Sequence, residues 1–210
     1  IRDGKADPNG GGGIRNSGTL LVDGGTLISN TAQFGGGIYN ATTGTLSLSY
    51  SKLSGNSASN SGGGIYNAGR LTVSNSTLSG NTAPNDGGGI YNGDVLTVSN
   101  STFSGNSSSN GGGIYNWSML TMRNTIVANS PAGNNCHGGV ITDGGGNLSY
   151  PDTTCPGINA DPLLGPLQNN GGRTDTMALG PGSAALDAAI DASCAAPPVN
   201  NLDQRGVTRP

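Results

Sequence analysis

The chain has 210 residues, of which 39 are glycine, only 10% are charged and 4% are aromatic, and all of its acidic residues are aspartate. A formal net charge of −3, a sequence pI near 4.7 and the absence of any lysine or arginine cluster argue against nucleic acid or anionic membrane as a partner. No run of eighteen apolar residues occurs and no signal-peptide pattern opens the sequence, so no membrane insertion by this segment is expected, and the Gly, Ser, Thr and Asn that dominate residues 1 to 150 disfavour helix.

In chain order, Ile1-Arg-Asp-Gly-Lys-Ala reads as the last strand of a coil, so the sequence is expected to start inside a repeat array. Gly-Gly-Gly-Ile then recurs from Gly11, Gly35, Gly62, Gly87 and Gly111, at spacings of 24, 27, 25 and 24. Composition alone would suggest disorder; this periodicity overrides it. Aligned on the glycines, Ile14, Ile38, Ile65, Ile90 and Ile114 form one apolar column. Leu20, Leu46, Leu71, Leu96 and Leu120 form a second once Thr42 and Thr43 are taken as an insertion, and Val22, Leu48, Val73, Val98 and Met122 follow two residues later. The single residue between these two columns, polar in every coil but the first, where it is Leu21, gives the alternation of a strand with one buried face. A further column holds Leu27, Leu53, Leu78, Phe103 and Val127.

A unit of this size with three short apolar stretches cannot bury its own inner face, so consecutive units must stack, about 4.8 Å apart, with backbone hydrogen bonds between them. The expected fold is all-β, a right-handed single-stranded parallel β-helix of 24 to 27 residues and three short strands per coil, with irregular C-terminal coils. Residues 1–134 form the regular coils, and 135–210 the degenerate coils and a C-terminal segment. A leucine-rich repeat has a similar period, but its leucine spacing and helix-competent segment are missing.

Asparagines align as well: Asn16, Asn40, Asn67, Asn92 and Asn116; Asn30, Asn56, Asn81 and Asn106; and Asn75, Asn100 and Asn124. Stacked amides can each donate to one neighbour and accept from the other, so structural ladders are expected for Asn56, Asn81 and Asn106 and for Asn75, Asn100 and Asn124. Six Asn-X-Ser/Thr sequons, at Asn40, Asn75, Asn100, Asn106, Asn116 and Asn147, fall mostly in these columns, where a glycan would break the stack.

Tyr39, Tyr66, Tyr91 and Tyr115 form an outward aromatic column, a candidate glycan contact or a stacked structural ladder. Thr72, Thr97 and Thr121, with Ser47, form an outward hydroxyl column, but it is one residue wide and flanked by Arg70 and Arg123, which argues against ice binding. The triple glycines lack the Gly-Lys-Ser/Thr of a phosphate loop and are better explained by turns needing positive φ.

Many parallel β-helices are polysaccharide lyases or hydrolases, which need clustered carboxylates or a cation site. Between residues 31 and 122 the only charged side chains are Lys52, Arg70, Asp86 and Asp94, scattered over the repeat. In the C-terminal third, Asp143, Asp152, Asp161, Asp175, Asp187, Asp191 and Asp203 accompany Arg173, Arg205 and Arg209, and ion pairs that pin an irregular segment, such as Asp203 with Arg205, are the expected use. No catalytic residue, cofactor or metal site is expected. His137 beside Cys136 reads as a loop histidine, since adjacent extended residues point apart.

The coil Gly87-Gly-Gly-Ile-Tyr-Asn-Gly-Asp-Val-Leu-Thr-Val-Ser-Asn-Ser-Thr-Phe-Ser-Gly-Asn106 resembles bacterial β-helix surface proteins with polymorphic-outer-membrane-protein-like repeats, over residues 11 to about 130. Asn134-Asn-Cys-His, Gly144-Gly-Gly-Asn-Leu, Thr154-Cys155, Asp161-Pro-Leu-Leu-Gly-Pro-Leu-Gln-Asn-Asn-Gly-Gly-Arg-Thr174, Gly182-Ser-Ala-Ala-Leu-Asp-Ala and Asp203-Gln-Arg-Gly-Val-Thr-Arg-Pro210 are similar, in order, to the choice-of-anchor Q domain. The resemblance implies a secreted, extracellular or cell-surface β-solenoid without catalytic residues, and relatives continue past Arg-Pro into a Cys-Asp-Ile-Gly-Ala segment, so a truncated C-terminus is expected. Within this picture Cys136 and Cys155 pair as a disulfide in an oxidising compartment, and Cys194 is left for a cysteine beyond Pro210 or another chain. Expected partners are a second copy meeting the solenoid ends, giving a filament, and a surface glycan or other cell-surface partner; the alternative function is a glycan-binding module or a lyase- or hydrolase-like enzyme.

Overall fold

The computed structural model describes residues 1–6, 10–197 and 199–209. Pro210, the last residue of the C-terminal motif, lies outside the described residues.

Six coils stack into a parallel β-solenoid with three sheets. The first sheet holds Ile14–Asn16, Ile38–Asn40, Ile65–Asn67, Ile90–Asn92, Ile114–Asn116 and Cys136–Gly138. The second holds Thr19–Asp23, Thr45–Ser49, Arg70–Ser74, Val95–Ser99, Met119–Arg123 and Ile141–Asp143, and the third Thr26–Ile28, Lys52–Ser54, Thr77–Ser79, Thr102–Ser104, Ile126–Ala128 and Leu148–Tyr150. A short fourth sheet pairs Lys5–Ala6, Thr31–Phe34 and Ser57–Ser61, so the first residues do stack beneath the coil that follows them. Beyond the coils lie an antiparallel pair, Leu164–Gln168 with Thr176–Leu179, and a helix of five residues, Asp191–Ala195.

In the three main sheets equivalent residues pair with no slip from coil to coil, and a one-residue shift occurs only in the fourth, between Ala32 and Phe34. Ile65 lies opposite Ile38 and Ile90, Leu71 opposite Leu46 and Leu96, and Leu78 opposite Leu53 and Phe103. The pairing of Leu46 with Leu71 places the two extra residues of the second coil in the turn after Asn40, as the alignment requires. These columns form one continuous core in which Ile38, Leu53, Ile65, Val73, Leu78, Ile90, Val98, Phe103, Ile114, Met122 and Val127 are fully buried. A single-residue slip would turn each column to solvent, so burial fixes the register.

The triple glycines serve two needs. Gly87 opens its turn at φ 65°, the left-handed region, whereas at Gly88 a β-carbon would lie 2.5 Å from the backbone of Ser107 and 2.6 Å from that of Gly112. The second glycine is therefore required by the close approach of neighbouring coils rather than by its own torsion.

The isoleucine column ends in a cysteine. Cys136 pairs in register with Ile114 and is disulfide-bonded to Cys155, and both are buried against the last core residues. The disulfide thus plugs the C-terminal end of the apolar interior.

Candidate functional site

The most regular outward feature is the aromatic column of the first sheet. Because Tyr39, Tyr66, Tyr91 and Tyr115 sit between inward Ile and Asn on three-residue strands, their rings lie half-buried on the outer face. They stack almost parallel, with centroids 5.2, 4.5 and 5.4 Å apart. His137 continues the stack 5.6 Å from Tyr115, and the Arg15 guanidinium lies 4.7 Å from the Tyr39 centroid at the other end. His137 is therefore a strand residue and the last member of a ladder, not a loop histidine. Its alignment was hidden because it follows Tyr115 by 22 residues instead of 24 or more.

This geometry limits the chemistry of the column. A sugar packs its C–H face on an aromatic face, but here each face is turned to the next ring, which leaves edges at the surface. Burial, then the neighbouring Tyr91 and Tyr39, push the Tyr66 phenol from its usual 10 up to about 12. Tyr115 is raised as well, by burial first and then by Asp86 and Tyr91.

Two asparagine columns form amide ladders. Asn30, Asn56, Asn81 and Asn106 are linked by Nδ2 to Oδ1 bonds of 2.9 Å each, and each Oδ1 from Asn56 onward also accepts the backbone N–H of the preceding rung. The second runs through Asn16, Asn40, Asn67, Asn92 and Asn116 with bonds of 2.7 to 2.8 Å. All six sequon asparagines are buried, the least of them Asn100 at 8% exposure, and a glycan on any of them would open the stack.

The third column departs from expectation. Asn75, Asn100 and Asn124 share left-handed φ values of 44, 50 and 46°, a conformation that asparagine tolerates, at the turn between the second and third sheets. They form no side-chain ladder. Instead the C-terminal segment, residues 161–197 and 199–209, runs back over this turn. Asn75 Oδ1 accepts from Arg209 at 3.4 Å, the Nδ2 groups of Asn100 and Asn124 both donate to the Cys194 sulfur at 3.4 Å, and Asn124 exchanges two hydrogen bonds with the backbone of Ile190. Earlier coils are gripped on the same line: Thr174 Oγ1 donates to the Tyr50 carbonyl, Asp175 pairs with Lys52 at 2.6 Å, and Arg173 pairs with Asp23 at 2.8 Å. A cavity of about 420 Å³ remains between the segment and the third sheet, lined by residues that include Thr102, Ile126, Leu148, Met177 and Leu179.

Several aspartates serve structure. Asp203 pairs with Arg205 at 2.6 Å as expected, Asp143 accepts from Asn147 and from the Gly145 N–H, and Asp152 accepts from Asn135 and Thr154. Among the described residues no three His, Cys, Asp or Glu side chains converge as a metal site. Cys194 is the free cysteine and is buried in the seam. No family model matches the chain, and neither a curated protein nor a solved structure matches it.

Proposed function

We propose that this chain is a non-catalytic extracellular structural and adhesive module, the β-solenoid portion of a bacterial surface protein of the kind that its Gly-Gly-Gly-Ile-Tyr-Asn coils and anchor-Q-like C-terminal motifs resemble. One observation carries the reading: two of the three asparagine columns and the tyrosine column are used up along the axis, in two amide ladders and one ring ladder that bind coil to coil. Such a surface suits a rod rather than a reaction centre. The buried Cys136–Cys155 bond supports an oxidising compartment. The test is fractionation of the source cells with an antibody to the coils, combined with thiol counting in denaturant. The chain should be protease-accessible on intact cells or in the medium, with one reactive thiol; recovery in the cytosol with three would overturn the proposal.

Glycan contact along Tyr39, Tyr66, Tyr91 and Tyr115 is the second reading; with the ring faces stacked on one another, it runs through the half-exposed edges and phenol hydroxyls rather than by face stacking. Glycan-array binding that survives Tyr66→Ala and Tyr91→Ala unchanged ends it.

A further inference from the structure

We infer that residues 161–197 and 199–209 form a releasable strap, and that its release lets Asn75, Asn100 and Asn124 close into a third amide ladder. In both closed ladders the earlier residue donates Nδ2 to the Oδ1 of the residue one coil later, as Asn40 does to Asn67 and Asn56 to Asn81. In the third column the corresponding first pair would be Asn75 Nδ2 and Asn100 Oδ1. Both atoms are buried and lack a hydrogen-bond partner. The next pair would be Asn100 Nδ2 and Asn124 Oδ1, and the strap occupies both of them, with the Cys194 sulfur and the Ile190 N–H.

All three residues share one backbone conformation and sit one coil apart, so their side chains leave the stack in parallel, as the ladder geometry requires. The docked strap therefore holds a ladder open and leaves two buried polar atoms unpaired, which favours any state that pairs them. The strap's own hold is polar. Val199 and Cys194 are buried, but Leu163, Leu186, Ile190 and Val207 each remain more than 40% exposed, its anchors at Lys52 and Asp23 are ion pairs, and the cavity lies under part of it. A segment with little apolar burial opens below the free energy of global unfolding.

Cys194 reports the opening, because its thiol is shut in the seam while the other two cysteines are disulfide-bonded. In the full chain, reaction with a chromogenic disulfide reagent in native buffer should proceed while the circular dichroism of the coils is unchanged, and added salt should accelerate it. Labelling no faster than global unfolding would overturn the strap. The ladder is tested in an Arg209→Ala background, where Asn75 has no strap partner to lose. There Asn75→Gly removes only the first rung of the open state, and the turn tolerates it, since Gly24 fills the same position of the first coil at φ 64°. Labelling should slow about three- to tenfold, the worth of one net hydrogen bond. An unchanged or faster rate would overturn the third ladder.

Discussion

At the scale of single residues, the repeat marks equivalent positions but not the forces acting on them. Gly80 and Gly88 both stand at bends, yet a β-carbon at Gly80, where φ is 62°, meets nothing within 4 Å, whereas at Gly88 it collides with the backbone of Ser107 and Gly112. Gly80→Ala should cost about 1–2 kcal/mol, the ordinary left-handed penalty. Gly88→Ala should cost well above that, because backbone from adjacent coils must separate; urea unfolding of both variants checks the order. Tyr66 gives a second prediction. The folded chain keeps the phenol proton up to about pH 12 while the unfolded chain releases it near 10, so stability is full below pH 10 and falls as pH rises to about 12. Melting temperatures from pH 9 to 12 should fall less steeply in Tyr66→Phe than in the parent chain; equal slopes would place the alkaline sensitivity elsewhere.

At the scale of the element, the coil was legible and the strap was not. Apolar columns two residues apart specify a strand, and their return every 24 to 27 residues specifies stacking, so the inward faces follow from pattern alone. Asn75, Asn100 and Asn124 also return on schedule, but their partners lie 66 to 134 residues away in a segment with no period, beyond the reach of local pattern. His137 escaped for the opposite reason, since the last coil is shortened and breaks the alignment. The disulfide closes a loop with a sequence separation of 19 in that coil. Replacing Cys136 and Cys155 by alanine should cost about 3 kcal/mol by loop entropy. Hydrogen exchange should show the loss first in Cys136–Gly138 and Ile141–Asp143, with Ile65–Asn67 protected; uniform loss would mean that the coils open as a single unit.

At the scale of the molecule, the strands of each coil pair only with those of its neighbours, so the stack contributes stability as a sum of coil and interface terms, to which the strap adds contacts that span several coils. One coil's upper strand edges match the lower edges of the next, and we propose that a second copy extends the stack by the same rule. Sedimentation velocity over a wide concentration range should therefore reveal rods lengthening in steps of one chain. A single sedimenting species at every concentration would exclude association through the ends.

The amide ladders also confer a direction on the rod. Every linked Asn side chain, from Asn16 to Asn92 and from Asn30 to Asn81, points its N–H toward the later coil and its carbonyl toward the earlier one. The molecule is thus an arrow built from small aligned dipoles, with unlike termini. Both ladders end before the last coil: Asn116 lies opposite Gly138 and spends its Nδ2 on the Ser118 and Val140 carbonyls, so the arrow is drawn inside the rod rather than at its tips.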